Sequence, residues 1–341
     1  MDKSGRYNSI TDVPGIEVGH FTNASILSGV TVVLAREGSL GGVDVRGGSP
    51  GTRETDLLSP MNRIERVDAV VLCGGSAFGL DAAGGVMRFL EEKGIGHQAR
   101  EGMLVPIVPA AVIFDLDRGE ARGRVTEASG YEACRLASGG RVPMGNVGAG
   151  TGAVSGGLKG GVGTASEVLE NGTTVGAIVV VNSSGSAVDT GTGGFYARNL
   201  EMDGEFGNLR EDVPARFFPR ANLMWRRGQH TTIGVVATDA GLTKAQATKV
   251  AQMAHDGLAR AVYPSHTMFD GDTVFTIATG ESGNVGEDSS DKRDRDRALS
   301  LLGASAADAV ARAIIHAILA AETVEPYVCH RDRYPGAYRL T

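Results

Sequence analysis

A layered α/β fold is predicted for this chain by three features of its sequence. β-Branched runs closed by Gly, Asn or Asp alternate with longer stretches whose apolar residues recur at helical spacing. Glycine is the compositional outlier at 50 of 341 residues, far above the usual share of about 7%. Much of it is paired, as in Gly41-Gly42, Gly47-Gly48, Gly74-Gly75, Gly84-Gly85, Gly156-Gly157 and Gly160-Gly161. Such pairs mark turns and close backbone approaches, which suits a sandwich whose loops converge on a site. The length supports an ample core, and no internal repeat or clean boundary divides it, so residues 1–341 are expected to form a single domain.

Taken in order, residues 29–35 and 67–73 read as strands, each a β-branched or apolar run ending at a turn. Residues 77–93 read as a helix, with Leu80, Ala83, Val86, Met87 and Leu90 at helical spacing and Gly94 as its stop. A buried strand over 175–182 ends in Asn182. Residues 189–227 are loop-like and mix polar residues with Phe195, Tyr196, Pro214, Phe217, Phe218 and Pro219, the composition of an exposed linker. A strand over 231–238 opens on Thr231-Thr232, and another occupies 273–278. Between them lies a helix over 242–262. Residues 280–296 are dense in Gly, Asp, Ser and Arg and read as a solvated loop. The last helix, over 296–321, is Ala-rich and apolar nearly all round, which predicts burial between layers.

Composition narrows the partners. Charged residues make up 21% and hydrophobic ones 42%, as in an ordinary globular protein. A net charge of −7 without any useful Lys/Arg run argues against nucleic acid. Apolar runs such as Ala69-Val70-Val71-Leu72-Cys73 are strand-length, so no membrane span is expected. Met1 to Gly5 carries no apolar signal region. Cys73, Cys134 and Cys329 are odd in number and lack metal-ligand spacing, which fits reduced thiols. A cytoplasmic protein is the expectation.

Several segments could carry chemistry. Gly148-Ala149-Gly150-Thr151-Gly152-Ala153 matches a dinucleotide fingerprint, but Pro143 interrupts the strand that should precede it and no acidic residue follows at the right offset. No cofactor is therefore expected. Cys73-Gly74-Gly75-Ser76-Ala77-Phe78-Gly79 has the form of a strand, tight turn and helix start, yet Phe78 takes the second glycine position of a nucleophile elbow. Ser76 reads instead as a helix N-cap. His316, inside the apolar helix, reads as a satisfied core residue, while His20, His97, His255, His266 and His330 stay unassigned. Lys159 in a glycine-rich loop is either a solvated lysine or a cation that lowers a nearby amine's pKa or holds an oxyanion. Asn182 is either a turn former or an oxyanion donor. Asp270 and Asp272 flank Gly271 before a strand; the other acidic positions of a calcium loop are missing, so no metal is expected and both could converge on one site.

The segment Gly228-Gln229-His230-Thr231-Thr232-Ile233 is the most informative. A polar run from Arg226 to His230 meets two threonines at the head of a strand. On its own this is an ordinary strand start, since threonine favours strands. It is also where a self-cleaving hydrolase places its nucleophile. The Thr231 hydroxyl would attack the His230 carbonyl, and hydrolysis of the resulting ester would free the Thr231 α-amine. Such an amine titrates near about 7.7–8.0 and can act as base for its own hydroxyl.

Taken together the segments resemble the family of L-aminopeptidase/D-esterases, β-peptidyl aminopeptidases and nylon-oligomer hydrolases. The resemblance runs from Ile10-Thr11-Asp12-Val13-Pro14-Gly15 through Val45-Arg46-Gly47-Gly48-Ser49-Pro50-Gly51-Thr52-Arg53-Glu54, residues 72–80, 105–115, 158–166, 231–239 and 266–275, to Tyr334-Pro335-Gly336-Ala337. It implies a four-layer α/β/β/α sandwich of the N-terminal-nucleophile type. It implies a precursor that cuts itself between His230 and Thr231 into residues 1–230 and 231–341, both kept in one fold within a homo-oligomer, a tetramer by resemblance. Thr231 then corresponds to the nucleophile. Lys159 and Asn182 match positions for nucleophile activation and oxyanion contact, and Asp270 and Asp272 match an acidic pair that orients Thr231. The preceding residue is commonly Asn or Gly, where this chain has His230; an acyl shift uses the carbonyl, so His is tolerated. Phe78 stands in the substrate region where relatives have Tyr, which removes a hydroxyl donor. Asp115 is the candidate partner for a substrate ammonium. The expected substrate is a small peptide or other amide. Two further readings stay open, a self-cleaving acyltransferase of related fold and a decayed, non-enzymatic binding protein.

Overall fold

Valine, isoleucine and threonine runs assemble into a nine-stranded sheet in the computed structural model, which describes residues 3–119, 123–207, 209–210, 212–216, 230–286 and 290–339. The strands are β1 (Ile16–Asn23), β2 (Ser28–Val45), β3 (Thr52–Arg53), β4 (Arg66–Cys73), β5 (Ala110–Val112), β6 (Gly161–Val168), β7 (Thr174–Asn182), β8 (Thr231–Thr238) and β9 (Thr273–Ala278). They pair in the order β6-β7-β8-β9-β2-β4-β5-β3, with β1 on β2. Only the β8–β9 and β4–β5 pairs among these are parallel, and each needs a crossover connection, which helices supply.

β2 joins the two halves of the sheet. Its first half pairs with β1 and β4, and Leu40 to Val45 pair with β9. The register slips between Leu34 and Ser39, where Gly38 takes a φ of +65° that a side chain would resist. The strand expected over 29–35 therefore runs on to Val45, past a bulge that its local sequence does not announce.

Alternation along the strands sorts side chains to two faces. In β4, Val70 and Leu72 join an inner cluster with Ile178, Val180, Ile233, Val235 and Phe275. The intervening Ala69 and Val71 turn outward to Val86, Leu90 and Ala133, which belong to helices α1 (Ala82–Glu92) and α2 (Glu127–Arg135). In the other half Val179, Val181 and Val236 face Val250, Leu258, Val310 and Ile314, from α3 (Lys244–Ala261) and α4 (Lys292–Leu319). Both faces of the central strands are thus covered, which is why they read as continuous apolar runs. Burying one side chain the size of Phe275 or Ile178 stabilises by about 1.5–3 kcal/mol.

β6 was not foreseen, because Gly161-Val162-Gly163 looks like loop. Its glycine has a packing cause: a Cβ on Gly163 would lie 2.0 Å from the Ala313 carbonyl oxygen of α4. α3 and α4 meet equally closely, with the Cβ position of Gly257 only 1.9 Å from the Ala307 carbonyl oxygen.

Three helix expectations need correction. The segment expected as one helix over 77–93 is a 3-10 turn, Ser76–Asp81, followed by α1, and Gly94 at φ +70° ends it. Ser76 is not an N-cap; Gly75 holds that position, Ser76 itself has φ +51°, and no side-chain cap bond forms. α4 begins inside the stretch read as surface loop, because Asp291 caps it by accepting from the Arg293 N–H at 2.8 Å. α4 is long and apolar enough to cross a membrane by composition, and 67% of that window is buried within this fold. α3 starts at a capping box of Thr243 and Gln246, close to its expected bounds.

The first part of 189–227 is not an exposed linker. Phe195, Ala197, Phe206 and Leu209 are buried in the α3/α4 cluster. Phe217, Phe218, Pro219 and the run from Arg226 to Gln229 lie outside the described residues. His316 is a satisfied core residue, with Nδ1 2.7 Å from the Thr164 carbonyl oxygen and Nε2 3.3 Å from Glu205.

Candidate active site

Asn182 ends β7 and Thr231 begins β8, and antiparallel register pairs them directly. Both are buried. The loop before β9 passes beside them, with the His230 N–H donating to Phe269 O at 3.0 Å. The Gly271 N–H lies 3.1 Å from the His230 carbonyl oxygen and 3.1 Å from Thr231 Oγ1. The Thr231 hydroxyl in turn donates to the same His230 carbonyl. A hydroxyl, the peptide bond before it and a backbone donor are therefore gathered at one buried point. Gly271 leaves room for this: a Cβ there would sit 2.9 Å from Thr231 Oγ1 and 2.7 Å from Ser49 O.

The two aspartates grip the surrounding backbone. Asp272 accepts from the Thr232 N–H at 2.8 Å and from the His266 N–H at 2.9 Å, with His266 Nδ1 2.8 Å from the same carboxylate. Asp270 accepts from the Ser184 N–H at 3.0 Å, the Thr267 N–H at 3.1 Å and the Thr267 hydroxyl. Neither carboxylate has a hydrogen bond to the Thr231 hydroxyl; Asp272 reaches the next residue, and Asp270 ties the loop to the end of β7. The His266 ring stands edge-on to His255, with centroids 4.9 Å apart. His255 lies 3.0 Å from Asp44 O, and burial pushes its pKa down to about 4, so it is neutral.

On the other side of Asn182 sits a cluster of ionisable groups. Asn182 Oδ1 accepts from the Val154 N–H at 3.0 Å and from the Arg118 guanidinium, while Nδ2 donates to Phe114 O at 3.2 Å. Arg118 also donates to Gly152 O at 2.6 Å, and the Tyr327 ring covers it at 5.8 Å. Lys159 is not solvated. Its ammonium donates to Gly150 O at 3.1 Å, Ala153 O at 3.0 Å and Gly160 O at 2.7 Å. Burial, reinforced by the Arg118 charge and offset by Asp115, pulls its pKa down to about 7.

Asp115 is 1% exposed. One carboxylate oxygen accepts from the Gly75 N–H at 2.7 Å, and the Ser28 hydroxyl lies beside the carboxylate. Burial lifts its pKa to about 6 against the pull of that bond, Ser28 and Arg118. The His230 imidazole is held below its usual range by burial and by the Arg118 charge. Phe78 is set apart from this cluster. It is 63% exposed and lines a cavity of about 670 Å3 with Arg53, Leu80, Asp81 and Arg124.

Thr231, Asn182, Asp270 and Asp272 thus come together, with Lys159 and Asp115 joined to them through Asn182, Arg118 and the 150–154 turn. Sequence reasoning missed Arg118, the Gly271 N–H and the seat of His266. Arg118 stands just beyond the 105–115 run and has no local pattern to mark it. Among the described residues no group of three or more His, Cys, Asp or Glu side chains could hold a metal ion.

Comparison with known proteins places this geometry in context. The model of Peptidase family S58 matches residues 8–331. An uncharacterized aminopeptidase of Mycobacterium leprae is 49% identical over 352 residues, covering 98% of this chain and 96% of the relative. A 6-aminohexanoate-oligomer endohydrolase of Kocuria sp. is 30% identical over 288 residues, covering 82% of this chain and 77% of the relative. Among solved structures, a Burkholderia sp. beta-aminopeptidase superposes with a TM-score of 0.70 at 25% identity, covering 100% of this chain and 97% of the other. The L-aminopeptidase D-Ala-esterase/amidase of Ochrobactrum anthropi, described as a variant of the Ntn hydrolase fold, gives 0.72 at 24% identity, covering 98% and 94%. That last likeness concerns the fold alone.

Proposed function

This chain belongs to peptidase family S58, and from that premise we propose that it is a self-processing amide hydrolase whose nucleophile is Thr231. The observation that carries the reading is the shared Gly271 N–H, 3.1 Å from both His230 O and Thr231 Oγ1. In the precursor, Thr231 Oγ adds to the His230 carbonyl carbon, and the Gly271 N–H steadies the oxyanion. Collapse breaks the His230–Thr231 C–N bond as the hydroxyl proton passes to the nitrogen, leaving an ester and a free amine; water then releases the His230 carboxylate and the Thr231 hydroxyl. The freed α-amine, with a pKa of about 7.7–8.0, next takes the hydroxyl proton as Thr231 attacks a substrate carbonyl.

In turnover, Asn182 has one amide N–H beyond its bond to Phe114 O for the developing oxyanion. Lys159 supplies positive charge, and Asp115 receives a substrate ammonium. Asp272 holds Thr231 through the Thr232 N–H, and Asp270 holds it by tying the neighbouring loop to Ser184, an orienting role like that of the carboxylate in a serine triad. On the same reading the fold is a four-layer α/β/β/α sandwich, supported by the inner apolar cluster and the helix pairs outside it. The substrate class is a short peptide or amide oligomer, in keeping with the names of the aminopeptidase and oligomer-hydrolase relatives.

Intact mass spectrometry on wild-type protein and a Thr231→Ala control tests the reading. Two fragments meeting at His230/Thr231 in the wild type only are expected. A full-length chain in both would remove the N-terminal nucleophile.

A further inference from the structure

The cavity beside Phe78 is not part of the nucleophile cluster, and its charges are unusual. Arg53 and Arg124 both line it, against one carboxylate, Asp81. Neither guanidinium forms an ion pair with a described carboxylate. Arg53 spends one N–H on the Met87 sulfur at 3.0 Å, a weak acceptor, and Arg124 spends one on the adjacent Gly123 O at 2.6 Å. The Arg124 guanidinium lies 4.9 Å from the centroid of the exposed Phe78 ring. Leu80 and Val125 complete an apolar wall. A pocket of about 670 Å3 lies within the usual ligand range of about 300–1,000 Å3.

The backbone leads from the nucleophile to this pocket. The Cβ position of Gly271, 2.9 Å from Thr231 Oγ1, is 3.1 Å from Pro50 Cα. Arg53 follows three residues after Pro50, and an extended chain spans about 3.3–3.6 Å per residue. The backbone separation of Pro50 and Arg53 is therefore at most about 11 Å, the reach of a short substrate. From the opposite direction, Asp115 accepts from Gly75 in the turn that carries Phe78.

We propose that this cavity binds the carboxylate end of a short amide substrate, with Arg124 and Arg53 as its cationic ligands and Phe78, Leu80 and Val125 against its apolar body. The word substrate rests on the hydrolase reading; the anion site does not. With Asp115 taking the ammonium, the enzyme would read both ends of a zwitterionic oligomer and favour free acids over C-terminal amides.

Ligand-observed NMR titration of the purified protein with hydrocinnamate and with hydrocinnamyl alcohol tests the site without any turnover. Hydrocinnamate is expected to bind about five-fold more tightly than the alcohol, the scale of a half-exposed charge pair. That preference should vanish in Arg124→Gln and shrink in Arg53→Gln, and Arg124→Lys should restore part of it, with circular dichroism verifying each fold. Equal affinity of acid and alcohol in the wild type overturns the proposal. So does a preference that survives both glutamine variants. An uncut mass spectrum with intact acid preference would fell the hydrolase reading and leave the anion site standing; the reverse pair of results would do the opposite.

Discussion

Lys159 and Asp115 carry opposite charges that burial works against. Burial pulls the lysine from 10.5 to about 7 and lifts the aspartate from 3.8 to about 6. Both are ionised together only in the narrow interval between those two values. The linkage signs differ. Between about 7 and 10.5 the unfolded chain holds a proton at Lys159 that the folded protein has released, so this group makes stability rise with pH there. Between 3.8 and about 6 the folded protein holds the extra proton at Asp115, so its contribution falls as pH rises. Asp115 also supports the charged form of Lys159. Asp115→Asn should therefore move the lysine titration to lower pH. NMR of 13C-labelled lysine reads this directly, and an unmoved midpoint would break the claimed coupling.

On the proposed mechanism, the loop between α3 and β9 is the element on which Thr231 depends. Gly271 is absent from the positive-φ positions, so an alanine there is opposed by contact rather than by backbone strain. Its methyl would press on Thr231 Oγ1 and Ser49 O, shifting the N–H that polarises His230. Gly271→Ala should slow self-cleavage by about 10²–10³, the scale of a lost oxyanion donor, while circular dichroism stays native. Unchanged appearance of fragments on a time-resolved denaturing gel would remove Gly271 from the machinery. Much of this arrangement is legible in the sequence, because Asn182, Thr231 and the Asp270–Asp272 pair all sit where β-branched runs begin or end. The continuous β-branched runs that mark β7, β8 and β9 thereby place those residues at strand ends. Lys159 is legible as a candidate only; the Gly160 carbonyl beside it and the Gly150 and Ala153 carbonyls of the preceding turn decide against a solvated side chain. Arg118 meets Asn182 across 64 positions of sequence, a contact set by tertiary packing and by no local period. β6 is hidden for a similar reason, since Gly163 answers to α4 and Gly161 to the Gly145 backbone, not to their sequence neighbours.

At the scale of the molecule, the sheet decides what a cut before Thr231 does. β8 opens the C-terminal piece, yet its antiparallel neighbour β7 belongs to residues 1–230, and β9 pairs on its far side with β2, again from the N-terminal piece. α4 of the C-terminal piece packs on β6 and β7 with side chains that are almost wholly buried. Separating the pieces would break two ladders, exposing four strand edges, and open two of the three apolar clusters, at about 25 cal/mol for each Å2 of apolar surface returned to water. Hydrolysis of one peptide bond at the head of β8 supplies nothing to offset that cost. The two fragments should therefore elute together in gel filtration under native conditions and part only in denaturant. Native mass spectrometry should give the sum of both pieces, in whole multiples if copies assemble. Fragments that separate without denaturant would mean that the sheet pairing across residue 230 does not hold the molecule together.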